Sequence, residues 1–378
     1  MSSRIITTIT GLRDAGLLSG SHSTTLEDVS ARYAIAVTPA MSEAIKQTGA
    51  LGPIAKQFVP TVKELSEHPN ETPDPISDIP FTPVKGVVHR YRDRALLKVV
   101  NVCLVYCRFC FRREMVGPSQ GAGLSDKELE TALAYVAANQ NIKEIIITGG
   151  DPLILSPRRI RALTTKIAAL PNVSKIRWHS RVPIVLPASI TPGLIAALKE
   201  TSVQTRIAIH ANHPGEFGTE AQRACKQLSA AGIELLSQSV LLKGINDDAD
   251  TLEQLMRSFI GVGAKPYYLH HGDLAPGTAH FRTTIAHGLN LMKDLSKKLH
   301  SAARPKYILD VPGGTGKIAL DETTCISRGD GEYLLHCRDG STATYKDVVE
   351  PCPLPLTHDH GITALPSVGT DNARLLEN

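Results

Sequence analysis

The sequence is poor in aromatic residues and in net charge of either sign. Phe, Trp and Tyr make up 4% of the 378 residues, and 41 basic residues nearly balance 37 acidic ones. Such an even balance, without a long basic run, argues against a nucleic-acid-binding protein. No apolar stretch reaches the roughly 18 residues of a membrane span, and residues 1–18 lack the apolar segment of a secretory signal. We therefore expect a cytoplasmic protein with neither a nucleic-acid nor a membrane partner.

Cysteine is also scarce, and its placement is uneven. Of the seven cysteines, Cys103, Cys107 and Cys110 form a C-x3-C-x2-C run. An odd number in a long chain favours metal or catalytic use over a disulfide framework. Three thiolates can bind three irons of a [4Fe–4S] cluster and leave the fourth iron open, whereas clusters that only transfer electrons take four cysteines. A structural zinc ion is the alternative, but it needs a fourth ligand, and none follows at zinc-finger spacing.

The chain divides into four regions of different pattern. Residues 1–85 combine helical segments with a proline-rich stretch, His68–Pro83, that we interpret as a linker or an arm on the surface. Residues 86–303 alternate short apolar strands with helices in six units. Residues 304–361 form a C-terminal extension that includes a predicted hairpin, and residues 362–378 form a tail without periodicity.

The central region predicts a barrel. Near-continuous apolar strands joined by helices indicate parallel strands buried on both faces. Six such units predict an α/β fold with a partial TIM-type (β/α)6 barrel, and a doubly wound open sheet is the alternative. Because barrel active sites lie at the carboxyl ends of strands, we expect the polar residues at these ends to converge. They are the cysteine run, Gly149-Gly150-Asp151, His179–Arg181, His210–Asn212, Gln238 and His270–Asp273.

A glycine-rich segment near the C-terminal end carries one lysine. It reads Asp310-Val-Pro-Gly-Gly-Thr-Gly-Lys317 and follows a predicted strand. A P-loop is excluded, because Ile318 stands where Ser or Thr is required and the earlier glycine is missing. A lysine on such a loop can instead form a Schiff base with pyridoxal 5′-phosphate. An exposed turn lysine is the alternative.

Several of these motifs resemble a known family. The cysteine run, with Phe109 before its last cysteine, and the Gly-Gly-Asp-Pro turn at Gly149 resemble the radical S-adenosylmethionine (radical SAM) superfamily. Longer stretches, in the same order from about residue 70 to 350, resemble the lysine 2,3-aminomutase family. They are His89–Arg94, the cysteine run with Arg112-Arg113, Gly149–Leu153, Gln238–Asp247, Gly272–Leu274, His280–Thr283 and Asp310–Lys317.

The resemblance implies an isomerase that converts L-lysine to β-lysine with a [4Fe–4S] cluster, SAM and pyridoxal phosphate. It implies that Lys317 holds pyridoxal phosphate, with Arg90 and Arg94 near the phosphate. Arg112 would take the substrate's α-carboxylate. The remaining implied contacts are Asp273 and Asp310 for the substrate's ε-ammonium, and Gly149, Gly150, Asp151, His210 and Gln238 for SAM.

The pair Asp273 and Asp310 bears on the substrate. Two carboxylates that share one site repel each other, and a cation between them relieves the repulsion. Lysine therefore suits this pair better than glutamate, the substrate of a related aminomutase. The alternatives are another amino acid, or a role in elongation factor P β-lysylation. The enzyme of that pathway is shorter and lacks the Asp-x-Pro-Gly-Gly-x-Gly-Lys stretch. An electron-transfer or binding protein would leave Lys317 unexplained.

The resemblance is incomplete near the C-terminus. The family carries an intersubunit zinc site built from one barrel cysteine and a Cys-rich C-terminal stretch. Cys225 matches the first, but the second is replaced by Cys352, His358 and His360. Since zinc accepts thiolate and imidazole ligands, these four residues are a hypothetical zinc site. The resemblance further implies a homo-oligomer and a reductant such as flavodoxin or ferredoxin.

Overall fold

The structure, a computed structural model of the chain, describes residues 4–18, 23–66, 68, 70–121, 123–337 and 340–347. Its first part is helical, as the sequence predicts. Proline in the first turn helps to start the third and fourth helices, since proline needs no intrahelical partner there. The helices are α1 (Ile9–Asp14), α2 (Ser23–Arg32), α3 (Pro39–Thr48) and α4 (Pro53–Phe58).

A nine-stranded sheet, with its strands in chain order, forms the centre of the fold. The second to eighth strands are parallel, and the two edge strands pair antiparallel to their neighbours. The strands are β1 (Val87–Tyr91), β2 (Arg94–Val100), β3 (Glu144–Gly149), β4 (Lys175–Ser180), β5 (Gln204–His210), β6 (Glu234–Val240), β7 (Ala264–His270), β8 (Lys306–Val311) and β9 (Gly316–Ala319).

Helices connect the parallel strands and cover the sheet. Most begin at a polar cap; at Ser125, for example, the side chain and Glu128 form a capping box. The alternation confirms the six predicted strand–helix units. The helices are α5 (Asp126–Ala138), α6 (Pro157–Ala168), α7 (Val182–Val185), α8 (Pro192–Leu198), α9 (Thr219–Ala230), α10 (Ala249–Gly261) and α11 (Ile285–Lys298). Within the described ranges, none of the helices has the length and apolarity to cross a membrane.

The two ends of the sheet curl towards each other. The hydroxyl of Tyr91 on β1 accepts the backbone N–H of Lys317 on β9 at 2.8 Å. Arg90 on β1 lies 3.9 Å from Asp310 on β8. Contacts between opposite ends of one sheet require a nearly closed barrel, so the partial-barrel prediction is confirmed and the doubly wound alternative is wrong. We call the end formed by the carboxyl termini of β2–β8 the barrel mouth.

A small antiparallel sheet follows the barrel. It consists of β10 (Cys325–Gly329), β11 (Glu332–His336) and β12 (Thr342–Lys346). The pairing of β11 with β12 confirms the predicted hairpin, whereas β10 was not predicted. Directly after β12, Asp347 accepts the N–H of Ile285 at 2.6 Å, at the first residue of α11. This bond ties the small sheet to the barrel.

The proline-rich stretch is not a surface arm over its whole length. Asp78 and Ile76 are 2% and 5% exposed. The hydroxyl of Ser77 accepts the N–H of Gly313 at 3.0 Å, in the glycine-rich segment. The Phe81 ring packs directly against Gly314, and a Cβ on Gly314 would lie only 2.0 Å from that ring. The prediction of a surface arm is wrong here, because these residues pack against the segment that carries the lysine.

We expect Gly150→Ala to destabilise the barrel mouth. A Cβ on Gly150 would lie 2.2 Å from the carbonyl oxygen of Val102, which belongs to backbone and cannot rotate away. The variant should lose about 1–3 kcal/mol of unfolding free energy, measured by denaturant titration. In the control Gly261→Ala at the end of α10, a Cβ meets nothing within 4 Å. Equal stability of the two variants would contradict this packing argument.

Candidate active site

The three clustered cysteines line one cavity at the barrel mouth. Their loop begins after β2 and passes over the ends of the neighbouring strands. The same cavity is lined by most of the predicted contact residues, which the fold therefore brings together. They are Gly149 at the end of β3, Gly150 and Asp151 directly after it, His210 on β5, Gln238 on β6, Arg112 of the cysteine loop and Asp273 after β7.

The arrangement of the thiols fits a cluster better than a single ion. Burial raises the pKa of Cys110 to about 11, and burial also raises the pKa of Cys107. All three thiols are free rather than paired in disulfides. Within the described part of the chain, no three His, Cys, Asp or Glu side chains converge to hold one metal ion. A tetrahedral zinc ion needs such convergence, whereas an iron–sulfur cluster binds its cysteines through different irons.

A buried carboxylate, that of Glu64, anchors the cysteine loop through ion pairs. Glu64, between α4 and β1, accepts hydrogen bonds from Arg108 Nε at 3.0 and 3.1 Å and from Arg108 Nη2 at 2.6 Å. It also accepts a bond from Arg113, whose guanidinium donates to Gly277 O at 3.0 Å. Burial would raise the pKa of Glu64, but the two guanidinium groups outweigh it and hold the pKa below its usual value. Glu64 is thus a charged anchor for the loop.

The glycines at the end of β3, which the resemblance assigns to SAM contact, are also required by packing. A Cβ on Gly149 or Gly150 would lie 2.2 Å from a backbone oxygen of the chain leaving β2. The absence of side chains therefore lets β3 end directly beside the cysteine loop. Asp151 next accepts the hydroxyl of Ser180 and the N–H of Arg181, each at 2.7 Å. Its carboxylate joins the ends of β3 and β4.

Six buried polar atoms of the residues that line the cavity have no partner among the described residues, and two of the six are Arg181 Nε and Arg282 Nε. Two others belong to predicted SAM contacts, His210 Nε2 and Gln238 Oε1, and two to the histidines His179 and His270. Burial lowers the pKa of His210 to about 3, so its ring is neutral. Since buried polar groups are costly when unpaired, this wall of the cavity fits a polar ligand.

Lys317 and the aspartate pair form a second charged group. The Lys317 ammonium donates to Asp310, and His270 Nδ1 lies 3.6 Å from the same carboxylate. Burial would raise the pKa of Asp310, but Lys317 and His270 outweigh it and hold the pKa well below its usual value. Burial, together with the charge of Asp310, raises the pKa of Asp273 to about 8. One acid of the pair is thus ionised and the other protonated at neutral pH.

Asp78 links two of the predicted arginines, and sequence reasoning missed it. It accepts bonds from Arg112 at 2.8 and 3.2 Å and from Arg90 at 3.1 Å. The two arginines are 22 positions apart in the chain, and Asp78 lies in the stretch predicted to be a surface arm. Its proline-rich surroundings gave no signal of burial. Asp78 fixes both guanidinium groups at one side of the site.

Arg94 contacts the lysine segment only indirectly among the contacts of the described residues. It starts β2, stacks over the Tyr91 ring at 4.1 Å and pairs with the exposed Asp93 at 3.5 Å. It reaches the lysine segment through Tyr91, whose hydroxyl holds the Lys317 N–H.

The described residues give no support to the hypothetical zinc site. Cys225 is fully buried on α9 within the hydrophobic core, and burial raises its pKa to about 12. Cys352, His358 and His360 lie outside the described residues.

Comparison with known proteins decides the family. Residues 97–256 match the model of the radical SAM superfamily. The L-lysine 2,3-aminomutase of Fusobacterium nucleatum is 34% identical over 322 residues, covering 84% of this chain and 75% of that protein. The L-lysine 2,3-aminomutase of Methanococcus maripaludis is 37% identical, covering 79% and 68%. The chain belongs to the lysine 2,3-aminomutase family.

Membership of the lysine 2,3-aminomutase family makes this protein a radical SAM aminomutase, an isomerase. The superfamily implies a [4Fe–4S] cluster and SAM as cofactors. The relatives include a glutamate 2,3-aminomutase of Clostridioides difficile, 30% identical and covering 85% of this chain and 76% of that protein. Overall similarity therefore does not identify the amino-acid substrate, which has to be inferred from the side chains of the site.

We expect Glu64→Gln to destabilise the protein and to impair assembly of the cluster. The change leaves Arg108 and Arg113 as buried charges without a counter-ion, which costs about 3–5 kcal/mol. Denaturant unfolding and iron content after anaerobic reconstitution measure the two effects. The control is Glu200→Gln, which breaks the exposed pair of Glu200 with Arg161 and should cost less than about 1 kcal/mol. A similar loss in both variants would contradict the anchoring role of Glu64.

Proposed function

We propose that this aminomutase converts L-lysine to β-lysine with the help of pyridoxal phosphate. The observation that carries the proposal is the pair of the half-buried Asp273 and the buried Asp310, where the ammonium of Lys317 already occupies the Asp310 carboxylate. A primary ammonium at this position is what the ε-ammonium of a substrate lysine would provide. We infer that the substrate takes the place that Lys317 holds at Asp310.

The charge of the pair selects against glutamate. Asp310 is ionised, and its charge contributes to the raised pKa of Asp273. A side-chain carboxylate would add another negative charge to this buried group, and like charges in a low-dielectric site repel strongly. An arriving ammonium reverses the effect, because it lets Asp273 ionise as well. The pair therefore favours a long cationic side chain.

Arg112 is the proposed partner of the substrate's α-carboxylate. Its guanidinium lines the cavity that also contains Asp273. Two of its donors, Nε and Nη2, are engaged by Asp78, which fixes the plane of the fork. A planar guanidinium held in this way suits contact with a carboxylate.

The residues around Lys317 fit pyridoxal phosphate. Lys317 would hold it covalently, and Arg90 and Arg94 would face its phosphate. Arg90 supports this assignment because its Nε is buried without a partner among the described residues. Gly313, Gly314 and Gly316 before the lysine have φ of 85°, 85° and 96°, a region that favours glycine. The backbone can thus turn tightly and bring the lysine back towards Asp310.

The cavity beside the cysteines fits the other two cofactors. Cys103, Cys107 and Cys110 would hold the [4Fe–4S] cluster. Gly149, Gly150, Asp151, His210 and Gln238 would contact SAM, and the unpartnered His210 Nε2 and Gln238 Oε1 supply free polar atoms for it. When bound and reduced by a donor such as flavodoxin or ferredoxin, these cofactors supply a carbon-centred radical, and pyridoxal phosphate stabilises the substrate radical.

The protein's own contribution is placement. Arg112 and the aspartate pair would hold the two ends of the substrate, so that the carbons between them stay fixed beside the cysteine cavity. His210 and His270 stay neutral because burial lowers the pKa of each.

An anaerobic assay with SAM, pyridoxal phosphate, a reductant and single amino acids tests the proposal. We expect turnover of lysine and at most weak turnover of ornithine, arginine and glutamate. Turnover of glutamate but not lysine would overturn the role given to the aspartate pair. Activity only when elongation factor P or its modification enzymes are supplied would favour the β-lysylation alternative.

The rate with lysine should depend on pH through Asp273. Its carboxyl has a pKa of about 8 with the Lys317 ammonium nearby, so below that pH a binding substrate ammonium must displace a proton. We expect kcat/KM for lysine to rise with pH up to about 8 and then to level off. The control Asp273→Asn should lower kcat/KM and remove this rise. A wild-type profile that is flat, or that the variant shares, would contradict the assignment.

Lys317→Ala should abolish the visible absorbance of bound pyridoxal phosphate. The variant removes the amine that would hold it, so titration with pyridoxal phosphate should produce no protein-bound band. Lys306→Ala is the control, since Lys306 is exposed at the start of β8. Persistence of the band in the Lys317 variant would show that another group holds the cofactor.

A further inference from the structure

Arg181, at the end of β4, contacts a cysteine of the proposed cluster site. Its guanidinium Nη1 donates to Cys107 Sγ at 2.9 Å, and only 6% of its side chain is exposed. Neither the substrate contacts nor the SAM contacts proposed above use this residue. A buried cation in contact with one cluster ligand needs its own explanation.

The position of Arg181 is fixed by several groups. Its Nη2 donates to Glu216 and, at 2.6 Å, to Gln57 Oε1. Its guanidinium carbon lies 4.6 Å from the centre of the Phe58 ring and 5.5 Å from that of Phe109. Two of these groups, Gln57 and Phe58, belong to α4. The N-terminal helices thus hold the guanidinium against the cysteine loop.

Glu216, the counter-ion of Arg181, is fixed in turn. Its Oε1 accepts the backbone N–H groups of Asn212 and His213 at 2.8 and 3.0 Å and the amide of Gln57 at 3.0 Å. The carboxylate is therefore bound whether or not the cluster is reduced. The network gives Arg181 little freedom to turn away from Cys107.

We propose that Arg181 raises the reduction potential of the cluster by donating a hydrogen bond to the Cys107 thiolate. Reduction adds one negative charge to the cluster, and a cation at a ligand sulfur stabilises the reduced form more than the oxidised form. Hydrogen bonds to ligand sulfurs and nearby charge are established determinants of cluster potential. Glu216 acts in the opposite sense, because its negative charge lies on the far side of the same guanidinium. The inference rests on the proposed ligation by Cys107, but not on the proposed substrate.

The test is the midpoint potential of the reconstituted cluster in the whole protein. It is measured by anaerobic redox titration with the EPR signal of the reduced cluster as readout, in variants matched for iron content. We expect Arg181→Gln to disfavour reduction at least tenfold, which is about 59 mV for one electron. The potential of Arg181→Lys, which keeps the charge but not the forked guanidinium, should lie between those of Arg181→Gln and the wild type. Glu216→Gln should move the potential upwards.

Opposite shifts of the reduction potential in the two glutamine variants would distinguish tuning of the cluster from a general disturbance of the fold. Arg181→Gln and Glu216→Gln damage the same buried network, so a purely structural role would shift both potentials the same way or neither. Arg177→Gln is the matched control: Arg177 is a buried arginine of β4 that pairs with Glu144, and it lies four residues, roughly 13 Å of extended chain, before Arg181. Its potential should equal that of the wild type.

Several results would overturn the proposal. An unchanged potential in the Arg181 variants would do so, as would a downward shift in Glu216→Gln. If Arg181→Gln takes up no iron, the potentials of Arg181→Lys and Glu216→Gln decide. A wild-type protein without a redox-active cluster would overturn both this proposal and the ligation by the cysteines. Failure of the lysine assignment alone would leave the potential shifts unaffected.

Discussion

Buried pairs of arginine with carboxylate determine where the reactive groups of this protein stand. Glu64 and Asp78 each hold two arginines, and Glu216 holds one. All three acids are almost completely buried, so removal of any one leaves charges without a counter-ion at a cost of several kcal/mol. Three of the five arginines belong to the loop that carries the cysteines. The loop is therefore positioned by charge as well as by its neighbours in the sheet.

These pairs divide the barrel mouth into two halves. One half contains the cysteines, the glycines at the end of β3, His179 and His210, and it fits the cluster and SAM. The other contains Lys317 and the aspartate pair, next to the arginines held by Asp78. Arg112 lies between them, since it follows the last cysteine by two residues and shares the cavity with Asp273. A substrate held at Arg112 and the aspartates would thus lie between the source of the radical and pyridoxal phosphate.

Periodicity and local motifs predicted most of the fold, because strands, helices and caps depend on nearby residues. The same holds for the cysteine run and for the polar residues at strand ends, which a barrel must bring together. The pairs that fix the site were not predictable. Gln57 contacts Glu216 across 159 residues of sequence, and Asp78 contacts Arg112 across 34. No local signal marks such partners, and a proline-rich composition suggested exposure where Asp78 is buried.

Direct transfer of hydrogen within the closed site is the central requirement of this arrangement, and isotope labelling measures it. Lysine that carries deuterium on Cβ should give β-lysine with deuterium on the former Cα, the carbon that the amino group leaves. Some of the deuterium should also enter SAM. Mass spectrometry of product and cofactor detects both. Replacement of the label by hydrogen from water, with none in SAM, would contradict radical transfer between the two halves of the barrel mouth.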